Sequence, residues 1–311
     1  MTARPSNPTM EHPMVDVRDI RIAVDGGTLA VAEYGDPQGP PVLAIHGITA
    51  SSRSFSALAH RLPEVRLIAP DLRGRGRSNT LPAPYGLRQH ADDMRAILDV
   101  LGLDRVVVVG HSMGAFVAVL LAAAEPERVR EVVLIDGGLP LAVPPGLDLD
   151  ALLRLSPEAL LGPAWERLTR VFPSRADYDR FWAAHPAFAD AWTDDIAAYV
   201  AYDLEAVDGG FRPSANPAAV AADQKELFGP DWYRDALHGL HRPTTVLRAP
   251  LGLQADPPGL YAPGVLNAFT ADVPQLEVVE VPDVNHYTIV MTRPGVDRVA
   301  DAVRTAVTRA R

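Results

Sequence analysis

Val106-Val107-Val108-Val109-Gly110-His111-Ser112-Met113-Gly114 is the stretch on which the fold of this chain turns. Four consecutive valines predict a strand covered on both faces, as in a parallel sheet. The run from Met113 to Ala124 predicts a helix that starts where the strand ends. Between them, glycine-x-serine-x-glycine puts a serine on a strand-to-helix turn so tight that only small neighbours let the chain pass. The serine oxygen then projects above the carboxyl edge of the sheet, where ligands of such sheets sit. A plainer reading, Ser112 as the helix N-cap, accounts for the serine but not for both glycines.

The pattern repeats outward from this point. Val17–Val24 and Thr28–Tyr34 alternate in polarity around Asp25-Gly26-Gly27, a hairpin signal. Val42–Ile45, Val65–Ala69 and Val132–Ile135 are short continuous apolar runs like the one at Val106. Helix-length segments, Ser54–Leu62 and Leu87–Leu101, lie between them. Strand and helix in alternation predict an α/β fold with a doubly wound, mostly parallel sheet. After Asp136 the rhythm breaks. From Pro140 to about Arg242 no clear strand is visible, and proline punctuates helical stretches such as Ala176–Ala184 and Asp190–Ala201. Thr244–Leu247 and Leu276–Val281 resume the sheet, and a helix over Gly295–Ala310 closes it.

All four tryptophans, Trp165, Trp182, Trp192 and Trp232, fall in the interrupting segment. They serve either as the small core of a helical insertion or as walls of an apolar pocket between insertion and sheet. The expected organisation is a tail over 1–14, a core over 15–139 and 243–311, and a helical insertion over 140–242.

Composition removes several chemistries. The 311 residues include no cysteine, which excludes a thiol nucleophile, a disulfide framework and cysteine-ligated metal. Lys225 is the one lysine, so a Schiff base or a serine–lysine pair has a single possible source. A net charge of −10 argues against binding nucleic acid. No phosphate-cradling glycine loop follows the first strand and no histidine pair has ligand spacing on a helix, so neither cofactor nor metal is expected. Residues 1–14 carry no apolar run of signal-peptide length and no later stretch is long enough to span a bilayer; the expected location is the cytoplasm.

The chain resembles the cap-bearing serine hydrolases of the α/β-hydrolase fold superfamily. The resemblance is carried by His46-Gly47, by Asp71-Leu72-Arg73-Gly74-Arg75-Gly76-Arg77-Ser78, by the serine turn at Ser112, and by Asn285-His286-Tyr287. It implies that the segment over 140–242 is a cap, that Ser112 is the nucleophile and that His286 is its base. It implies an oxyanion hole made by the backbone N–H groups of Ile48 and Met113, with His46 supporting that loop. His111 is expected to point away into the fold, and His185, His238 and His241 have no motif support. Asp71 and Arg73 are expected to hold loops together, with Arg75 and Arg77 solvated.

The acid that orients the base is open. In many relatives it follows the strand that here reads Thr244–Leu247, but Gly252 stands where the acid is expected and Asp256 is the nearest. Asp136, at the end of Val132–Ile135, is the alternative that some cap-bearing relatives use, and it is favoured. Trp165, Trp182, Trp192 and Tyr287 are the candidate substrate contacts. The expected activity is hydrolysis of a small apolar or aromatic ester through an acyl-enzyme. Lactonase, carbon–carbon bond hydrolase, thioesterase and perhydrolase activities are the alternatives within enzymes. A ligand receptor that retains the hydrolase residues is the alternative outside them. An aspartate nucleophile, as in epoxide hydrolases and haloalkane dehalogenases, is excluded by Ser112.

Overall fold

The computed structural model describes residues 16–144 and 146–309, so the expected tail over 1–14 and the ends assigned to Val15 and Ala310 lie outside the described residues. Eight strands form one sheet: β1 (Val17–Val24), β2 (Gly27–Gly35), β3 (Pro41–Ile45), β4 (Arg66–Pro70), β5 (Val106–His111), β6 (Val129–Ile135), and, after the insertion, β9 (Thr244–Arg248) and β10 (Leu276–Glu280). Their spatial order is β1-β2-β4-β3-β5-β6-β9-β10. β1 pairs antiparallel with β2, and β2 antiparallel with β4. All later pairings are parallel. The Asp25-Gly26 turn closes the opening hairpin, and Gly26 takes the left-handed φ of 81° that the turn requires.

The valine run explains the layering. Successive side chains of a strand point to opposite faces. Val106 and Val108 pack with Leu87, Met94 and Phe116 on one side of the sheet. Val107 and Val109 pack with Leu58, Val299 and Val303 on the other. The helices Leu87–Val100 and Met113–Ala124 therefore cover one face, and Ser56–Arg61 and Gly295–Arg309 the other.

Between β6 and β9 the chain forms short helices and one element that the sequence reading lacks. β7 (Leu204–Val207) and β8 (Gly210–Pro213) make an antiparallel hairpin around Asp208-Gly209. Each strand has only four residues, too few for period-two alternation to stand out from helical neighbours. The helix expected over Asp190–Ala201 begins later, at Asp194, because the Thr193 hydroxyl accepts from the Ile196 N–H and caps it there. Among the described residues, no helix is long and apolar enough to cross a membrane.

Candidate active site

Ser112 occupies the turn between β5 and the helix Met113–Ala124, with φ 55° and ψ −123°. That conformation is costly for any residue with a Cβ, and its neighbours explain how the chain tolerates it. A Cβ on Gly114 would lie 2.0 Å from the carbonyl oxygen of Ile45, and one on Gly110 2.4 Å from that of Gly114. Both glycines are thus required by close backbone approach. Ser112 makes no side-chain cap bond to the helix it opens, which leaves the hydroxyl unused by local structure.

His286 sits in the loop after β10, one residue beyond Asn285, whose side-chain oxygen accepts from the N–H groups of Tyr287 and Thr288. The Asn285 amide also donates to the Ala187 carbonyl in the inserted segment. This loop is fixed from both sides. His286 Nδ1 lies 2.6 Å from Asp136 Oδ2. The carboxylate accepts, so Nδ1 carries a ring proton, and in the neutral tautomer Nε2 is the acceptor. Asp136 is fully buried, with a φ of 43°, and its other oxygen accepts from the Ala249 N–H at 3.1 Å. Gly137 permits this turn: a Cβ there would meet the Ser112 carbonyl oxygen at 2.2 Å.

Of the two acids the sequence leaves open, Asp136 is therefore the one paired with His286. Asp256 is exposed in the loop after β9, where its backbone carbonyl accepts from the Gly252 N–H. A strand end on the same edge as the serine brings an acid to the ring directly, whereas Asp256 lies in an outward turn.

Ser112 and His286 share a cavity of about 200 Å³ with Gly47, Ile48 and Met113. Gly47 presses against the serine, since a Cβ on it would stand 3.0 Å from Ser112 Cβ. Ile48 and Met113, the two expected N–H donors, thus flank the serine, Met113 at the positive end of its helix. His46 holds this loop. It is fully buried, its Nε2 accepts from the Leu72 N–H and its Nδ1–H donates to the Gly47 carbonyl.

Burial pushes the His46 pKa down from 6.5 to about 4. The unfolded chain consequently takes up a proton there first. His46 leaves stability intact above about pH 6.5 and withdraws it as pH falls toward 4, by about 3 kcal/mol in all. Urea unfolding between pH 7.5 and 4.5 is expected to show this loss, and His46→Gln to reduce the slope to the part that the buried His111 contributes. An equal slope in that variant would remove the assignment.

The aromatic expectation needs correction. Tyr287 lines the cavity, but Trp165, Trp182 and Trp192 are not among its lining residues. Trp182 is buried behind Tyr287, packed edge-on against Tyr178 and Phe188 and under the Arg167 guanidinium. Trp165 packs beside Leu161 and Leu168, and Trp192 is 37 % exposed. Short helices bury little on their own, and the large rings supply their common core. The inserted segment contributes Leu141, Leu160, Leu161, Tyr199 and Leu227 to the cavity instead. Isolated leucines in irregular helices carry no sequence signal that separates pocket from core.

Two further side chains, His111 and Arg75, depart from expectation. His111 lines the cavity rather than turning away, its ring 4.8 Å from that of His286. Its Nε2–H donates to the His286 backbone carbonyl at 2.8 Å, and burial holds the ring well below its ordinary pKa, hence neutral. Arg75 is fully buried, not solvated, and Asp223 of the insertion is its partner. Arg77 is exposed, its guanidinium over the Tyr202 ring. Asp71 accepts from the N–H groups of Ser52 and Arg77 and from the Tyr202 hydroxyl, and Arg73 pairs with Asp93 through two nitrogens. Among the described residues no group of three or more His, Asp or Glu is arranged to hold a metal ion.

A family model described as alpha/beta hydrolase fold matches residues 40–290. Lipase LipV of Mycobacterium tuberculosis is 40 % identical over 168 residues, covering 54 % of this chain and 61 % of the lipase, under two thirds of that relative. The 2-(acetamidomethylene)succinate hydrolase of Mesorhizobium japonicum is 30 % identical over 268 residues, 86 % of this chain and 88 % of its own length. The crystal structure of an E-2-(acetamidomethylene)succinate hydrolase superposes with a TM-score of 0.76 at 27 % identity, covering 94 % of this chain and 100 % of the other.

Proposed function

As the chain belongs to the alpha/beta hydrolase fold family, we propose that it is a serine hydrolase that cleaves a small apolar carboxylic ester. The observation that carries this is the 2.6 Å contact of His286 Nδ1 with Asp136, beside a strained Ser112 in one cavity. His286 Nε2 takes the Ser112 proton as Oγ attacks the ester carbonyl. The N–H groups of Ile48 and Met113 receive the oxyanion. Collapse breaks the bond to the leaving oxygen, which takes the proton from His286 and departs as the alcohol. Water, deprotonated by His286, then attacks the acyl-serine and releases the carboxylic acid, returning the proton to Ser112.

The lining argues for the substrate class. Beyond Thr49, the two tyrosines, Ser112 and the histidines, the walls are aliphatic or Phe116, and none of the lining residues is arginine or lysine. A dicarboxylate such as the succinate named for one relative would leave its charge unpaired there. The volume is below the roughly 300 Å³ at which drug-sized sites begin, which favours a short aliphatic acyl group over the aromatic one expected from the tryptophans.

The test is a series of p-nitrophenyl esters from acetate upward. Each methylene buried contributes about 0.8 kcal/mol, so kcat/KM is expected to rise about fourfold per methylene and to flatten once the cavity is full. Stoichiometric labelling of Ser112 by a fluorophosphonate accompanies it. Absence of labelling and of turnover across the series defeats the reading.

A further inference from the structure

Arg75 is one of the largest side chains buried completely in this protein, and its hydrogen bonds lead to the reaction centre. Its Nε–H donates to the Ile48 carbonyl at 2.9 Å, and its Nη1–H to the Arg73 carbonyl at 2.9 Å. Nη1 also lies 2.5 Å from Asp223 Oδ2, and Asp223 is as fully buried as Arg75. Asp223 belongs to the helix Pro217–Glu226 of the inserted segment. The same carboxylate accepts from the Gly86 N–H at 2.7 Å and contacts His90 Nε2 at 2.9 Å. Glu226, one turn later, accepts from the Leu87 N–H at 2.6 Å. The helix Leu87–Val100 has Gly86 at its N-cap and no cap bond from that residue. The N–H groups of Gly86 and Leu87 at its start are satisfied from the insertion.

This arrangement is poorly explained as a stabilising device. A buried ion pair gains little over apolar packing, and Arg75 Nη2 is left without a partner. It is well explained by what Arg75 holds. The peptide that presents the Ile48 N–H has its carbonyl, on Gly47, bound by His46 Nδ1. The next peptide has its carbonyl, on Ile48, bound by Arg75. The N–H is thus clamped between two anchored peptide planes.

Resting on the reading of Ile48 as an oxyanion donor, we propose that Arg75 is a positioning residue for that donor, held in register by Asp223, so that docking of the helix Pro217–Glu226 on the core sets the geometry of the oxyanion hole. The insertion then acts on the chemical step and not only on which substrate enters. A donor moved off its target loses much of the 10²- to 10³-fold that a whole oxyanion contact contributes, so roughly tenfold in kcat is expected here.

The experiment compares Arg75→Gln with Arg75→Met, both combined with Asp223→Asn so that no buried carboxylate is left unpaired. Glutamine Nε2 stands at the chain position of arginine Nε and can donate to Ile48; methionine has similar length and no donor. On p-nitrophenyl butanoate the methionine form is expected to show a kcat at least tenfold below the glutamine form, with KM within threefold and similar Tm. Asp223→Asn alone, which still offers an oxygen to the Gly86 N–H, is expected to lower kcat three- to tenfold and covers the case in which the double variants do not fold. Equal kcat in the glutamine and methionine forms, or an unaltered kcat in Asp223→Asn, overturns the proposal. Failure of the hydrolase reading looks different: the unaltered protein itself would neither turn over the ester nor take a fluorophosphonate at Ser112.

Discussion

Ser112→Ala is expected to reduce ester turnover roughly 10⁶-fold, the size of loss that follows removal of an activated serine from a site of this kind. The exchange deletes one atom. It leaves the Cβ in place, so the strained φ of 55° is neither relieved nor worsened. The hydroxyl caps no helix, so its loss costs the fold almost nothing, and Tm is expected to stay within about 2 °C. The two readouts separate a nucleophile from a structural serine, which would lower both together. Turnover of p-nitrophenyl butanoate within tenfold of the unaltered protein would remove Ser112 from the mechanism.

Asp136→Asn is expected to cost about 10⁴-fold in kcat, as the same exchange does in other serine–histidine–aspartate sites. Asparagine preserves the volume and can still accept from the Ala249 N–H. Its charge is gone, however, and it no longer compels the proton of His286 onto Nδ1. An imidazole with the proton on Nε2 cannot take one from Ser112. The imidazolium formed during attack also loses the buried carboxylate that stabilises it. Asp256→Asn, in an exposed loop, is expected to leave kcat unaltered. If Asp256→Asn instead carries the loss, the assignment of the acid is reversed.

The difference between these two acids shows where sequence reading stops. Both lie just beyond strands that end on one edge of the sheet, and it is the resemblance to cap-bearing relatives, not spacing, that favours Asp136. What separates them is the direction of each loop after its strand. Asp136 turns inward with a left-handed φ made possible by Gly137, while the chain after β9 carries Asp256 outward. Such a choice depends on the atoms of Ser112 and Ala249 on neighbouring segments, which no local pattern contains. The tryptophans make the same point differently. Their concentration in the insertion was legible, but an indole can fill a core or face a ligand with equal hydrophobic gain. Arg75 was misread because surface arginines in turns are the rule, and its partner Asp223 is remote in sequence.

The opening hairpin, the alternation of strand and helix and the serine turn are legible in the sequence because each rests on local rules: period-two strands, continuous apolar runs, and glycines where backbones touch. The sheet edge that His286 reaches is legible too, since the end of the last strand fixes it. Which acid meets its ring, which side chains wall the cavity and which arginine is buried behind Ile48 were decided only by tertiary structure. Those outcomes depend on distances between segments brought together by folding, where a turn of one loop moves a charge by more than the reach of a hydrogen bond.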